Sequence, residues 1–170
     1  MSHGLNEFNP WLILIAVKPP VPRLEFLASA NVKVAAPYML GSTTLGERRI
    51  VPILSGRLEG RVNAEVLPGG ADWQVVGRDG AIYLEARYTL RTDDGALIYV
   101  RNQGIRRGPP DVLARLLDGK TTPDPSEYYV RTTPRFETSD PRYEWLNTII
   151  AVGSGARLPE AVLLDFYELL

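Results

Sequence analysis

The stretch Ile82-Tyr83-Leu84-Glu85-Ala86-Arg87-Tyr88-Thr89-Leu90-Arg91-Thr92-Asp93-Asp94-Gly95-Ala96-Leu97-Ile98-Tyr99-Val100-Arg101-Asn102 decides the fold. Its first half alternates apolar with polar residues, the period-two pattern of a half-buried strand. Asp93-Asp94-Gly95 then reads as a turn: the aspartates suit type I geometry, and the glycine takes the left-handed position of a bulged three-residue hairpin. Thr92 thereby pairs with Ala96. That register puts Ile98, Val100 and Asn102 on the face of Leu90, Tyr88 and Ala86. Arg87, Tyr99 and Arg101 share the other.

The same alternation extends upstream. Arg57 to Leu67 sets Leu58, Gly60, Val62, Ala64 and Val66 against Arg57, Glu59, Arg61, Asn63 and Glu65, before a Pro68-Gly69-Gly70 turn. Downstream, Leu146 to Val152 and Ala161 to Leu169 read as strands, with Gly153-Ser154-Gly155 as the hairpin turn between them. One helix is signalled. Gly108-Pro109-Pro110-Asp111 opens it, Val112, Leu113, Leu116 and Leu117 form its apolar stripe, and Gly119 stops it. A second, single-turn helix is expected from Asp140-Pro141 to about Asn147. Many strands, no βαβ alternation and few helices give an all-β class, expected as a small closed antiparallel barrel, because closure removes exposed edges.

Composition narrows the chemistry. The chain has 170 residues, no cysteine, one histidine (His3) and a net charge of −1. Thiol nucleophiles, disulfides and cysteine metal sites are therefore excluded. A lone histidine in a polar N-terminal segment leaves no basis for a histidine triad or a common histidine zinc site. No basic block points to nucleic acid. The longest apolar run, Trp11 to Val17, is far short of the roughly 20 residues that span a bilayer, and it lacks a secretory leader. A cytoplasmic protein is expected, with residues 1–22 an N-terminal extension and 23–170 a single barrel domain.

Several segments resemble one bacterial and fungal family, known as domain of unknown function 3237. They are Gly46-Glu47-Arg48-Arg49-Ile50-Val51-Pro52-Ile53, Pro68-Gly69-Gly70-Ala71-Asp72-Trp73, and Ala86 through Tyr99. Tyr128-Tyr129-Val130-Arg131-Thr132-Thr133-Pro134-Arg135-Phe136-Glu137-Thr138 and Tyr143-Glu144-Trp145-Leu146-Asn147 follow. The resemblance implies a lipocalin-like or related β-barrel, often oligomeric, with no agreed activity. It also marks a departure: Gly60-Arg61 stands where members often carry Gly-Pro, so a cavity-lining Arg61 would alter the ligand.

The candidate site residues are carboxylates near aromatics. Asp72, beside Trp73, is a candidate acid or base at a barrel mouth, its pKa raised by the indole wall. The bland alternative is a turn aspartate with a core tryptophan. Glu137 is the second candidate proton carrier, with Arg131 holding an oxyanion and Phe136 beside it; the alternative is a structural ion pair around Pro134. Tyr88 and Asn102 form an inward pocket pair if Arg87, Tyr99 and Arg101 point outward. Tyr143, Trp145 and Asn147 would form an aromatic lid, or else simply cap a barrel end. No metal or cofactor is expected.

These residues favour a cofactor-free lyase, hydratase or isomerase acting on a small, partly apolar molecule, aromatic or carbonyl-containing. The alternatives are a non-catalytic small-molecule carrier barrel, or a structural oligomer whose Trp11 to Val17 arm docks on a neighbour. A homo-oligomer is expected.

Overall fold

The computed structural model describes residues 18–118 and 121–170. Ten strands account for most of them: β1 (Leu24–Val34), β2 (Tyr38–Thr43), β3 (Gly46–Gly60), β4 (Ala64–Val66) and β5 (Ala71–Val76), then β6 (Ile82–Thr92), β7 (Leu97–Arg107), β8 (Tyr129–Glu137), β9 (Ala151–Arg157) and β10 (Ala161–Leu169). One helix, α1 (Pro110–Asp118), joins β7 to β8. The strands run β1-β10-β9-β8-β7-β6-β4-β3, and β3 returns to pair with β1, closing an antiparallel eight-stranded barrel. β5 takes over from β4 in the gap between β3 and β6, and β2 pairs only with β3.

The central hairpin forms as its turn chemistry dictates. Thr92 N–H donates to the Ala96 carbonyl at 2.9 Å, and Gly95 sits at φ 92°. Leu90 faces Ile98, Tyr88 faces Val100 and Ala86 faces Asn102. Arg87, Tyr99 and Arg101 point outward and are exposed.

Inward parity packs the barrel unevenly. One half is solid hydrocarbon: Leu27, Leu58, Leu90, Ile98, Phe136 and Phe166 fill it. Phe136 and Phe166 meet edge to face, centroids 6.4 Å apart at 90°, a favoured arrangement for their quadrupoles. The remaining void there is about 10 Å³, no more than a water needs. The other half carries shorter or polar inward groups and stays hollow. Helix α1 packs Val112, Leu113 and Leu116 on Tyr128, Val130 and Leu84. It thus sits over the barrel end into which those strand residues point.

Three local expectations are corrected. Arg57 to Leu67 is not one strand: the chain turns between β3 and β4, where the Asn63 Oδ1 accepts the Gly60 N–H at 3.1 Å. Gly153-Ser154-Gly155 is not a turn but the middle of β9, which begins at Ala151 rather than Leu146. Both glycines face inward, where a Cβ would stand 2.4 Å from Thr132 Oγ1 at 153 and 2.9 Å from Val130 Cγ1 at 155. They are glycines because of close packing, not because of turning. The single-turn helix is a 3-10 turn over Glu144–Thr148. The helix stop at Gly119 and the docking arm Trp11 to Val17 lie outside the described residues. No helix among the described residues is long and apolar enough to cross a membrane.

Candidate active site

The hollow half encloses a cavity of about 80 Å³, several times the ~10–15 Å³ that one water needs. Val32, Val51, Ile53 and Leu164 make an apolar wall from β1, β3 and β10. Opposite it stand the polar groups of β5, β6, β7, β8 and β9. Strand parity explains the division: Asp72 and Gln74 alternate with outward residues on β5, as Asn102 and Arg106 do on β7.

Asp72 is the acid of this cavity. Its Oδ1 accepts the Glu85 backbone N–H at 2.9 Å, and its Oδ2 accepts Gln74 Nε2 at 2.6 Å. Gln74 in turn accepts from Arg49 Nε at 2.7 Å. Burial pushes the Asp72 carboxyl above the ordinary aspartate range, against the pull of these two hydrogen bonds and of the Arg106 and Arg49 charges. A carboxyl in that position holds its proton to higher pH than a surface aspartate.

Three guanidiniums share the site with this one acid. Arg106 is pushed down to about 10, first by burial and then by the Arg49 and Arg157 charges, and stays protonated at neutral pH. Arg49 and Arg157 are also lowered, burial again the main cause. Arg157 is tied to the carbonyls of Pro159 and Ala161, while its N–H donates to Tyr128 Oη at 2.9 Å. Arg106 Nε has no partner. Neither has Asn102 Oδ1 nor Thr132 Oγ1, and all three residues line the cavity. Tyr88 lines it too, its phenol pushed upward by burial. Among the described residues no cluster of His, Cys, Asp or Glu could hold a metal ion.

The structure brings together Asp72, Tyr88 and Asn102 from the expected set and separates the rest. Glu137 is exposed on the outer face of β8, grouped with Arg87, Tyr99, Arg101 and Arg135, so the two acids do not converge. β8 runs straight through Pro134, and odd positions on it point outward. Arg131 follows the same parity, stacking 4.9 Å from the Tyr129 ring centroid. Trp73 points outward between Asp72 and Gln74, with Arg87 5.8 Å from its ring. It is no wall for Asp72, whose desolvation comes from the barrel interior.

Phe136 is inward but belongs to the solid half. Tyr143 and Trp145 pack on that same core, Tyr143 Oη donating to Asp94 at 3.1 Å. Asn147 clasps the Thr138 backbone through both amide atoms, at 2.8 and 2.9 Å. These three close the solid end of the barrel rather than cover the cavity. Arg61 is exposed, bonded to Glu168 at 2.6 Å and 4.6 Å over the Trp145 ring, so it does not line the cavity.

Arg49, Gln74, Arg106, Thr132 and Arg157 were missed. A signal existed for three of them. Extending the hairpin parity from Asn102 by four residues puts Arg106 inward, and extending it from Asp72 by two puts Gln74 inward. Arg49 precedes Val51 and Ile53 on one parity, a charge on an otherwise apolar face.

Comparison with known proteins places this architecture. The family model described as "Protein of unknown function (DUF3237)" matches residues 22–169. A UPF0311 protein of Clostridium acetobutylicum is 44% identical over 147 residues, 85% of this chain and 92% of the relative. The crystal structure of a conserved protein of unknown function from Rhodopseudomonas palustris superposes with a TM-score of 0.86 at 40% identity, covering 89% of this chain and all of that one. A beta-barrel like protein from Acinetobacter baumannii gives 0.79 at 46% identity, over 90% of this chain and 99% of the other. A more distant relative, the hydroalkoxylation enzyme phnH of Penicillium herquei, is 27% identical over 152 residues, 89% of this chain and 87% of its own length. The chain belongs to the DUF3237 family of β-barrel proteins.

Proposed function

We propose that this protein is a cofactor-independent enzyme of the lyase, hydratase or isomerase kind, with Asp72 moving a proton to or from a small, partly apolar molecule in the barrel. The observation that carries this reading is a carboxyl raised by burial, fixed by two hydrogen bonds, and facing an apolar cavity beside a protonated arginine. General acids need a pKa moved toward working pH and a fixed direction of proton delivery.

The arrangement suits addition of an O–H group across a C=C bond conjugated to a carbonyl. The oxygen nucleophile bonds to the distal carbon while the C=C electrons move onto the carbonyl oxygen. Arg106 stabilises that oxygen as its charge develops. Asp72 then protonates the near carbon, and the carboxylate it becomes takes the proton of the incoming O–H group. Atoms and charge balance, and the enzyme is regenerated. The relative described as a hydroalkoxylation enzyme supports this class of chemistry. Glu137, on the outer surface, has no part in it.

The test follows proton movement without requiring the native substrate. Small phenols, enols and conjugated carbonyl compounds are incubated with the protein in D2O, and mass spectrometry reads deuterium gain or an added O–H group. Asp72→Asn should lower the rate by roughly 10²–10⁴-fold, the usual contribution of a general acid, while Glu137→Gln stays within about twofold of wild type. A panel turned over equally by Asp72→Asn contradicts the proposal. Tight binding without turnover in the wild type would leave a carrier barrel.

A further inference from the structure

We infer that the ligand of this cavity is an anionic hydroxy compound, with a carboxylate or ionised phenol oxygen held by Arg106 and a separate hydroxyl donated to Asn102. This names the substrate class of the proposed reaction and rests on that reading only in taking this cavity as the substrate site.

The charge balance comes first. Arg49, Arg106 and Arg157 act on one lining acid, Asp72, and Arg49 also feels the exposed Glu47, so three guanidiniums still outnumber the acids and the site is positive whether or not Asp72 is ionised. Arg49 is committed to Gln74, and Arg157 to the carbonyls of Pro159 and Ala161. Arg106 has no such commitment: it is 7% exposed with Nε unpartnered. A buried guanidinium lacking an ion pair is costly, and an anionic oxygen is the group that its fork of donors fits.

The other orphaned atoms fix the second half of the pharmacophore. Asn102 is 3% exposed and Thr132 5%, and each has an oxygen without a partner. Asn102 Oδ1 can only accept, so it calls for a donor such as a hydroxyl; Thr132 can do either. Asn102 and Arg106 lie four residues apart on β7, on one face, with Gly104 between them and Thr132 paired opposite Gly104. Thr132 fills the space beside Gly104, where an added Cβ would stand 2.6 Å from Thr132 Cγ2, so Thr132 sits between the anion-seeking and the donor-seeking ends. Across the cavity lies the apolar wall of Val51, Ile53 and Leu164. An apolar body with an anionic oxygen at one end and a hydroxyl at the other fits that layout.

The test is a binding panel read by ligand-observed NMR and calorimetry at neutral pH: 4-hydroxybenzoate, 4-hydroxybenzamide, benzoate and benzamide. The expected order is 4-hydroxybenzoate first and benzamide last, the acid exceeding its amide by about tenfold or more, equivalent to ~1.4 kcal/mol. Arg106→Met should erase the acid-over-amide preference and keep the hydroxyl preference. Asn102→Leu should do the reverse, and Arg106→Lys should retain the acid preference. Amides binding as well as acids, no acid binding at millimolar concentration, or an acid preference surviving Arg106→Met would overturn the inference. The wild-type panel decides even if a variant fails to fold. Asp72→Asn separates the two claims. Lost proton transfer with the acid preference kept supports both. Proton transfer intact in a wild type without acid preference sinks this one alone.

Discussion

Gln74 Nε2 donates to Asp72 Oδ2 at 2.6 Å, and only one amide orientation allows it, because Gln74 Oε1 already accepts Arg49 Nε at 2.7 Å. The chain Arg49 to Gln74 to Asp72 is thus directional: the arginine sets the amide, and the amide presents a donor to the acid. Replacing Gln74 with Leu leaves Arg49 Nε without this acceptor and Asp72 without one of its two donors. Denaturant unfolding should show a loss of about 1–3 kcal/mol, the penalty for orphaning a buried polar group. The Asp72 carboxyl should titrate higher still, since a bond favouring its charged form is gone.

The raised Asp72 carboxyl also fixes a sign for stability against pH. Where the native state holds this proton and the unfolded chain has lost it, stability falls as pH rises; the window opens at the ordinary aspartate value and closes at the elevated native one. Asp140 gives the opposite leg. Its carboxyl is lowered to about 2 by hydrogen bonds from the Arg142 side chain and backbone, so its contribution is present above the ordinary aspartate value and fades as pH falls through about 2. Subtracting the pH–stability curve of Asp72→Asn from that of the wild type should isolate a falling leg. A rising difference would contradict the assignment.

Arg106 should reveal a conflict between stability and binding. Its buried guanidinium has an unpartnered Nε and two like-charged neighbours. Arg106→Met keeps the unbranched stem out to the Nε position and removes the charge. The ligand-free variant is expected to be as stable as wild type or up to about 1–4 kcal/mol more stable in chemical denaturation, as when buried charges give way to packed apolar groups. The Asp72 titration should also move up, because a favourable charge has been withdrawn.

Gly153 tests the packing behind the cavity. An added Cβ there would stand 2.4 Å from Thr132 Oγ1 and 3.1 Å from the Phe166 ring. Gly153→Ala should therefore cost about 1–3 kcal/mol by overpacking. Thr132→Ala removes the nearest clashing atom, so the double variant should be less destabilised than the sum of the two single changes in a thermodynamic cycle.

The hairpin shows what a single sequence makes legible. Leu90, Tyr88 and Ala86 against Ile98, Val100 and Asn102 followed from a turn type and a period of two, both local properties. Tyr88 and Asn102 reached the cavity for that reason. Glu137 and Arg131 failed because parity on β8 had no anchor until the register with β7 was known. Gly153 and Gly155 misled because a glycine forced by Thr132, Val130 and Phe166 looks the same in sequence as one required by a turn. Trp73 misled because adjacency along a strand puts neighbours on opposite faces: Asp72 went in, and its aromatic neighbour went out. Arg49 meets Gln74 through the β3–β5 pairing, a register the sequence does not mark, while Arg157 lies on β9, far from β5 in sequence, and only the closed barrel brings it near Asp72.

Proton transfer by Asp72 depends on the barrel interior raising its carboxyl above the ordinary range. A 13C NMR titration of the side-chain carboxyls, with Asp72 assigned from its disappearance in Asp72→Asn, reads this directly. The expected midpoint lies clearly above the ~3.9 of an unperturbed aspartate. A midpoint at or below that value would mean that Arg49, Arg106 and the two hydrogen bonds outweigh burial, and Asp72 would not be the proton donor.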